Sequence, residues 1–409
     1  MRIGIFTDTY TPYISGLVTS ELMLKQALEK KGHVVYVVTA NLENFKYDFD
    51  EDDKVIRVPG IPTGIYDARL TGIYPIQAVN KIKSWHLDVI HSQSEFGVGT
   101  FARIIAKQFN IPIVHTYHTM YEDYIHYITH GHFDKSSKKL VEYLTLFYCD
   151  KTITELIVPT KKAYDLFKEK YNVQRNIHIV PTGIETERFY SENIPRKDIV
   201  AIKKKYNITS KDFVFVFVGR LAEEKNIEFL LDITKDLVKD YPNMKLLIIG
   251  DGPDKEKYEG IVSANHNENN VIFTGKVPWD TVPIYYQVAD IFITASTTET
   301  QGLTVIEAMA GSLPVVCIDD ESFRNVVIDG LNGELFNNKE EAKAKIINLY
   351  LHPDDKKQMG KQARINADRY SSKYFAEAVL DVYEMAIDSK KKSRNIVIKL
   401  WDKVRGKDK

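Results

Sequence analysis

The chain has 409 residues, 44% of them hydrophobic and 27% charged, which is enough core material for two or three ordinary domains of about 100–200 residues each. Its net charge of -1 excludes a global attraction to nucleic acid or to an anionic membrane, so any such attraction has to be local. No stretch reaches the ~18–20 apolar residues of a membrane span, and the opening MRIGIFTDTY enters a strand-like run at once, so no secretory leader is expected.

Taken in chain order, RIGIF (2–6) reads as a buried strand, 19–31 as a helix ending near Gly32, and VVYVVTA as the next strand. A helix near 74–84 follows, then the strands LDVIHSQ and PIVHTY. Val- and Ile-rich runs separated by helices mark a parallel sheet covered on both faces. The pattern restarts after the polar stretch PTGIETERFYSENIPRKD (181–198) with FVFVFVG, KLLIIG, VIFTG, DIFITAS and PVVCI. Helices around 338–351, 354–369 and 372–389 close the chain. The economical reading is α/β, with two Rossmann-like doubly wound parallel-sheet domains over 1–195 and 196–375 facing across a cleft. Residues 376–409 form a C-terminal helix expected to pack back on the first domain. Cys149 and Cys317, each among apolar residues, read as buried reduced thiols of a cytosolic protein.

Ligands of such sheets bind beyond the carboxyl ends of the strands, so the chemistry belongs in the residues that follow them. In FTDTYTPYISGLVTSE, Gly16 lies in the loop before a helix, where backbone turns tightly or approaches a ligand. In VFVGRLAEEKNIEFLL, Gly219 ends a strand, and Arg220 and Lys225 stand near the start of a helix. That position ordinarily favours acids, so two cations make sense there if an anion such as a diphosphate docks between them. Alternatively they are solvated charges balanced by Glu223 and Glu224. IIGDGPDKEKYE lacks the third glycine of a dinucleotide fingerprint, because Lys255 occupies that place.

TETQGLTVIEAMAG holds Glu299 and Glu307. Eight helical positions advance about 800°, or about 80° beyond two full turns, so the carboxylates would not share a helix face. Glu299 is therefore placed in a loop, with a helix starting near Gly302 and carrying Glu307. The peptide N–H groups of Gly302, Leu303 and Thr304 would then face phosphate oxygens. The plainer alternative makes Glu299 a cap and Glu307 a first-turn acid. PIVHTYHTMYEDYIHYITHGHF gathers His115, His118, His126, His130 and His132. Their spacings fit neither HExxH nor a Cys/His finger, so a single polar histidine at the strand end is expected to face the cleft.

Together these strand ends resemble the retaining GT-B glycosyltransferases of family 4, group 1. The residues that carry the likeness are SGLVTS (15–20), HTYHT (115–119), VPTGIETERF (180–189), VGRLAEEKN (218–226), GDGP (250–253), FTGKV (273–277) and ETQGLTVIEAMA (299–310). The last contains the E-x7-E signature. The resemblance implies an acceptor-binding first domain and a sugar-nucleotide-binding second domain. It implies that Glu299 holds hydroxyls of the transferred sugar and Glu307 the ribose. Arg220 and Lys225 would neutralise the leaving diphosphate, and His118 would stand beside the acceptor hydroxyl. Donor contacts would come from Gly16, Gly219, Val277, Gln301, Gly302, Leu303 and Thr304 as well. Ser15 replaces the first glycine of the Gly-Gly pair that many relatives have. Asp48 and Asp50 have DxD spacing but sit in the acidic loop YDFDEDDK, so no metal is built into this reading, and a divalent cation such as Mg enters only as an activator.

SGLVTS, HSQSEFGVG, HTYHTMYEDY and TETQGLT are similar, more narrowly, to bacterial diacylglycerol glucosyltransferases. The donor implied is UDP-glucose and the acceptor the 3-hydroxyl of 1,2-diacylglycerol. UDP-galactose, a glycolipid or a soluble sugar remain alternatives. The tail 390–409 carries nine basic and two acidic residues, a net +7, with Val397, Leu400, Trp401 and Val404 at helical spacing. Lys391, Lys392, Arg394, Lys399, Trp401 and Lys403 thus read as an interfacial, basic amphipathic segment. A peripheral enzyme on the cytoplasmic face of the membrane is expected, with an anionic lipid surface as its partner and no nucleic acid.

Overall fold

The computed structural model describes residues 1–409 apart from 14–15, 44, 51, 53, 63–68, 96, 119–141, 300 and 405–409, and apart from the side chains of 62, 69, 70 and 393–404. Its contacts divide the chain into one unit of residues 1–183 and 372–409 and another of residues 184–371. Ile184 and Phe189 are buried in the core of the second unit, so the segment after 183, read from sequence as the end of the first domain, packs with the second.

In the first unit the elements run β1 (Arg2–Phe6), α1 (Gly16–Lys30), β2 (Val34–Ala40), β3 (Asp48–Phe49), β4 (Val55–Val58), β5 (Gly60–Pro62), β6 (Arg69–Thr71), α2 (Ile76–Trp85), β7 (Val89–Ser92), α3 (Gly97–Gln108), β8 (Ile113–Thr116), β9 (Glu155–Val158), α4 (Lys161–Asp165) and β10 (Ile177–Ile179). Gly16, expected in the loop, is the first residue of α1. The main sheet has the order β10-β9-β8-β7-β1-β2-β4-β3, parallel except for the β3–β4 pair. The order reverses between β1 and β7, so the loops that leave these two strands meet at a switch point.

The second unit runs α5 (Arg196–Lys205), β11 (Phe213–Val218), α6 (Ile227–Asp240), β12 (Met244–Ile249), α7 (Lys255–Ala264), β13 (Val271–Phe273), α8 (Val282–Tyr286), β14 (Ile291–Thr294), α9 (Leu303–Ala310), β15 (Val315–Ile318), α10 (Glu321–Arg324), β16 (Gly333–Phe336), α11 (Lys339–Leu351) and α12 (Pro353–Ala367). All pairings in the sheet β13-β12-β11-β14-β15-β16 are parallel. This is the strand order of a doubly wound nucleotide-binding sheet, with its switch point between β11 and β14. The sequence FVFVFV shows why both faces are covered: Phe213, Phe215 and Phe217 enter one core layer and Val214 and Val216 the other.

The last helix, α13 (Ser372–Val404), belongs to the first unit. Phe375, Ala376, Val379, Val382, Tyr383 and Ala386 recur at helical spacing and pack with Leu24, Ala27 and Leu28 of α1 over one face of the first sheet. The helical pattern read over 372–389 and the C-terminal helix read over 376–409 are one continuous helix as far as Val404, and Lys390–Lys392 do not lower helix propensity. Cys149 and Cys317 are buried free thiols. Among the described residues, no helix is long and apolar enough to cross a membrane.

Candidate active site

The switch point of the second unit gathers most of the residues singled out above. Gly219 follows β11 and lies directly beside Gly250 at the end of β12: a Cβ on Gly250 would come within 1.8 Å of the Gly219 carbonyl oxygen, so only glycine allows the two loops to touch. Arg220 is exposed next to it. Lys225 ends a short 3₁₀ turn, and its Nζ is 2.5 Å from Glu299 Oε1. The loop after β14 is tied to this turn through Ser296 and Thr298, whose hydroxyls donate to the Glu224 carbonyl. The Ser322 hydroxyl holds the Glu299 carbonyl at 2.5 Å. Lys225 and Glu299 thus reach the same point from the ends of neighbouring strands.

Gly302 is the N-cap of α9, with φ 72° and ψ 61°. Helical backbone begins at Leu303; the Val305 N–H turns back to the Gly302 carbonyl at 3.0 Å, while the amides of Leu303 and Thr304 precede the regular helical ladder and present partial positive charge. Glu307 stands one turn further on, half-buried, and its Oε2 accepts a 2.9 Å hydrogen bond from the Tyr286 hydroxyl. Burial pushes the Glu307 carboxyl up to about 7, against the opposing effects of Tyr286 and the Arg188 charge. Gln301 is buried, and Val277 is half-buried in the loop after β13. Sequence reading passed over Tyr286 and Arg188.

In the first unit a polar cluster fills the switch point. Asp8, just after β1, accepts the Val98 N–H at 2.8 Å where α3 begins, and burial raises its carboxyl to about 7. His115 Nδ1 lies 2.9 Å from the Ser92 carbonyl and Nε2 3.2 Å from Glu95 Oε1, wholly inside the core. Arg103 binds Ser92 Oγ at 3.1 Å and the Gly99 carbonyl at 2.7 Å. His118, two residues beyond β8, is half-buried. Its Nε2 is 2.5 Å from Gln93 Oε1, and loss of water around it lowers its pKa to about 4. It is therefore a neutral hydrogen-bonding group at physiological pH. His126, His130 and His132 lie outside the described residues, as do Ser15 and the side chains of Arg394, Lys399, Trp401 and Lys403. Lys391 and Lys392 are exposed on α13. Asp48 pairs with Arg57 at 3.3 Å, and Asp50 accepts the N–H groups of Lys54 and Val55. No group of three or more His, Cys, Asp or Glu that could hold a metal occurs among the described residues.

Two family models match the chain, Glycosyltransferase Family 4 over residues 14–188 and Glycosyl transferases group 1 over 198–366. The Anabaena protein HepE, solved in complex with UDP, has the same fold with a TM-score of 0.72 at 16% identity, covering 94% of this chain and 100% of that one. Two doubly wound sheets with these matches define the class as a glycosyltransferase of GT-B fold. The alpha-monoglucosyldiacylglycerol synthase of Acholeplasma laidlawii is 37% identical over 401 residues, 97% of this chain and 100% of that one. The synthase of the same name from Streptococcus pneumoniae is 34% identical over 357 residues, 87% of this chain and 79% of that one. The chain belongs to their family, within the group 1 glycosyltransferases of family 4, and is a hexosyltransferase.

Proposed function

We propose that the protein transfers glucose from UDP-glucose to the 3-hydroxyl of 1,2-diacylglycerol with retention, giving alpha-monoglucosyldiacylglycerol. The observation that carries this reading is the 37% identity to a synthase of that product over 97% of the chain, which spans both units. The Lys225–Glu299 pair and the adjoining N-terminus of α9 support it chemically.

In this reading Glu299 accepts hydrogen bonds from glucose hydroxyls, Glu307 from the ribose, and the backbone at Val277 meets the base. Gly16, Gly219, Gln301, Gly302, Leu303 and Thr304 complete the donor contacts. The bond between the anomeric carbon and the diphosphate oxygen breaks while a bond to the 3-oxygen forms on the same face. The departing phosphate takes the acceptor proton. Arg220, Lys225 and the amides of α9 stabilise the negative charge that grows there, usually the largest catalytic contribution. His118, neutral, orients the acceptor hydroxyl. Mg is assigned only an activating role. The enzyme acts peripherally on the cytoplasmic face of the membrane, where each basic residue of the tail 390–409 contributes about 1 kcal/mol near anionic lipid.

The test supplies UDP-glucose or UDP-galactose together with diacylglycerol in anionic vesicles, or with soluble sugars instead of lipid. Glucolipid from UDP-glucose is expected. A soluble disaccharide, or transfer of galactose alone, would contradict the reading.

A further inference from the structure

The imidazoles at the ends of β7 and β8 are linked through one amide. Tyr383 of α13 is fully buried, and its hydroxyl lies 2.7 Å from His91 Nδ1. His91 Nε2 is 2.6 Å from Thr116 Oγ1. The amide nitrogen of Gln93 lies over the same ring, 3.2 Å from Nδ1 and 3.3 Å from Nε2. The amide oxygen is turned the other way, 2.5 Å from His118 Nε2. His91 is 0% and Gln93 4% exposed, so these polar atoms find their partners inside the protein.

A carboxamide oxygen can only accept. Set against that oxygen, His118 would carry its proton on Nε2 and the lone pair of the ring on Nδ1. Neutral imidazole has two tautomers, and which one is present is set by the partner of the ring nitrogen. We propose that Gln93 is a positioning residue that selects the tautomer and orientation of His118, and that His91 and Tyr383 hold the Gln93 amide in place. The proposal rests on the reading of His118 as the group that orients the acceptor. It also gives the last helix a part in the site, because Tyr383 is 292 positions from His91 in sequence. Glutamine suits the role better than its isosteres. Leucine offers no acceptor, and glutamate would accept but would put a negative charge beside the ring and favour imidazolium.

The experiment combines NMR of the full chain, labelled with ¹⁵N-histidine, with transfer kinetics. The His118 signal is assigned by its loss in His118→Gln. The wild-type ring is expected as the Nε2–H tautomer throughout neutral pH. Gln93→Leu is expected to let the ring relax to a mixture of the two tautomers and to lower kcat about tenfold to a hundredfold. Its KM for UDP-glucose should hold, since Glu299 and Glu307 belong to the other unit. Gln93→Glu should keep the tautomer and move the acidic limb of the kcat profile upward by about 1–3 pH units. Tyr383→Phe should lower kcat in the same sense but less. A wild-type Nδ1–H tautomer, or a Gln93→Leu protein with unchanged tautomer and kcat, would overturn the proposal. Full glucolipid synthesis by His118→Gln would instead overturn the role given to His118, while the tautomer result would stand on its own.

Discussion

Glu307 is the residue whose chemistry depends most on its surroundings. Its carboxyl is raised to about 7 by burial, although the Tyr286 hydroxyl and the Arg188 charge pull it down. Below that pH the group is protonated and one oxygen becomes a donor; above it, both oxygens accept. With Glu307 accepting from the ribose hydroxyls, as proposed, the KM for the sugar nucleotide is expected to fall as pH rises from 6 to 8. Tyr286→Phe removes a hydrogen bond that favours the carboxylate, so the inflection should move to higher pH. Titrating UDP affinity by calorimetry across that range checks both; a pH-independent affinity would show that Glu307 does not hold the ribose. The two glutamates were legible in TETQGLTVIEAMAG because a glycine breaks the segment into loop and helix. Their partners were not. Tyr286 comes from α8, as the second of two adjacent tyrosines in VPIYYQV, and no period distinguishes the one that reaches Glu307. Gln93 is equally silent in HSQSEFGVG, since its role appears only when β7 and β8 lie side by side.

At the scale of elements, the junction into α9 depends on one glycine. Gly302 has φ 72°, and a Cβ there would come within 2.5 Å of Phe323 Cε1. Gly302→Ala is expected to cost about 1–3 kcal/mol, from left-handed backbone strain and overpacking, and to weaken donor binding. Chemical denaturation alongside UDP titration measures the two effects. Helix α13 divides differently. Its apolar stripe runs to Ala386 and Ile387 in the core of the first unit, so deleting 390–409 should leave the melting temperature nearly unchanged while weakening binding to anionic vesicles. Equal co-sedimentation with and without the tail would remove the membrane role. Long periodic helices such as α11, α12 and the start of α13 were readable from their spacing. The strands β9, β10 and β16, of three or four residues each, are not set off in sequence by a longer apolar run, and they pair in turn with β8, β9 and β15.

Over the whole molecule, the alternation of buried strands and helices announced two parallel-sheet domains. The strand order, and with it the two switch points, came only from the pairings. The family was legible from seven short motifs, most of them at the ends of strands or at the helix starts that follow, where open doubly wound sheets bind their ligands. Composition contributed little, since a net charge of -1 conceals a tail of +7. The central claim is transfer of glucose, with retention, onto a diacylglycerol hydroxyl. The most direct measurement is the structure of the lipid product formed from UDP-glucose and 1,2-diacylglycerol in anionic vesicles, with its anomeric configuration read by NMR. A single glucose joined by an α linkage to the 3-oxygen is the expected result. A β linkage, or no glucose on the lipid, would contradict it.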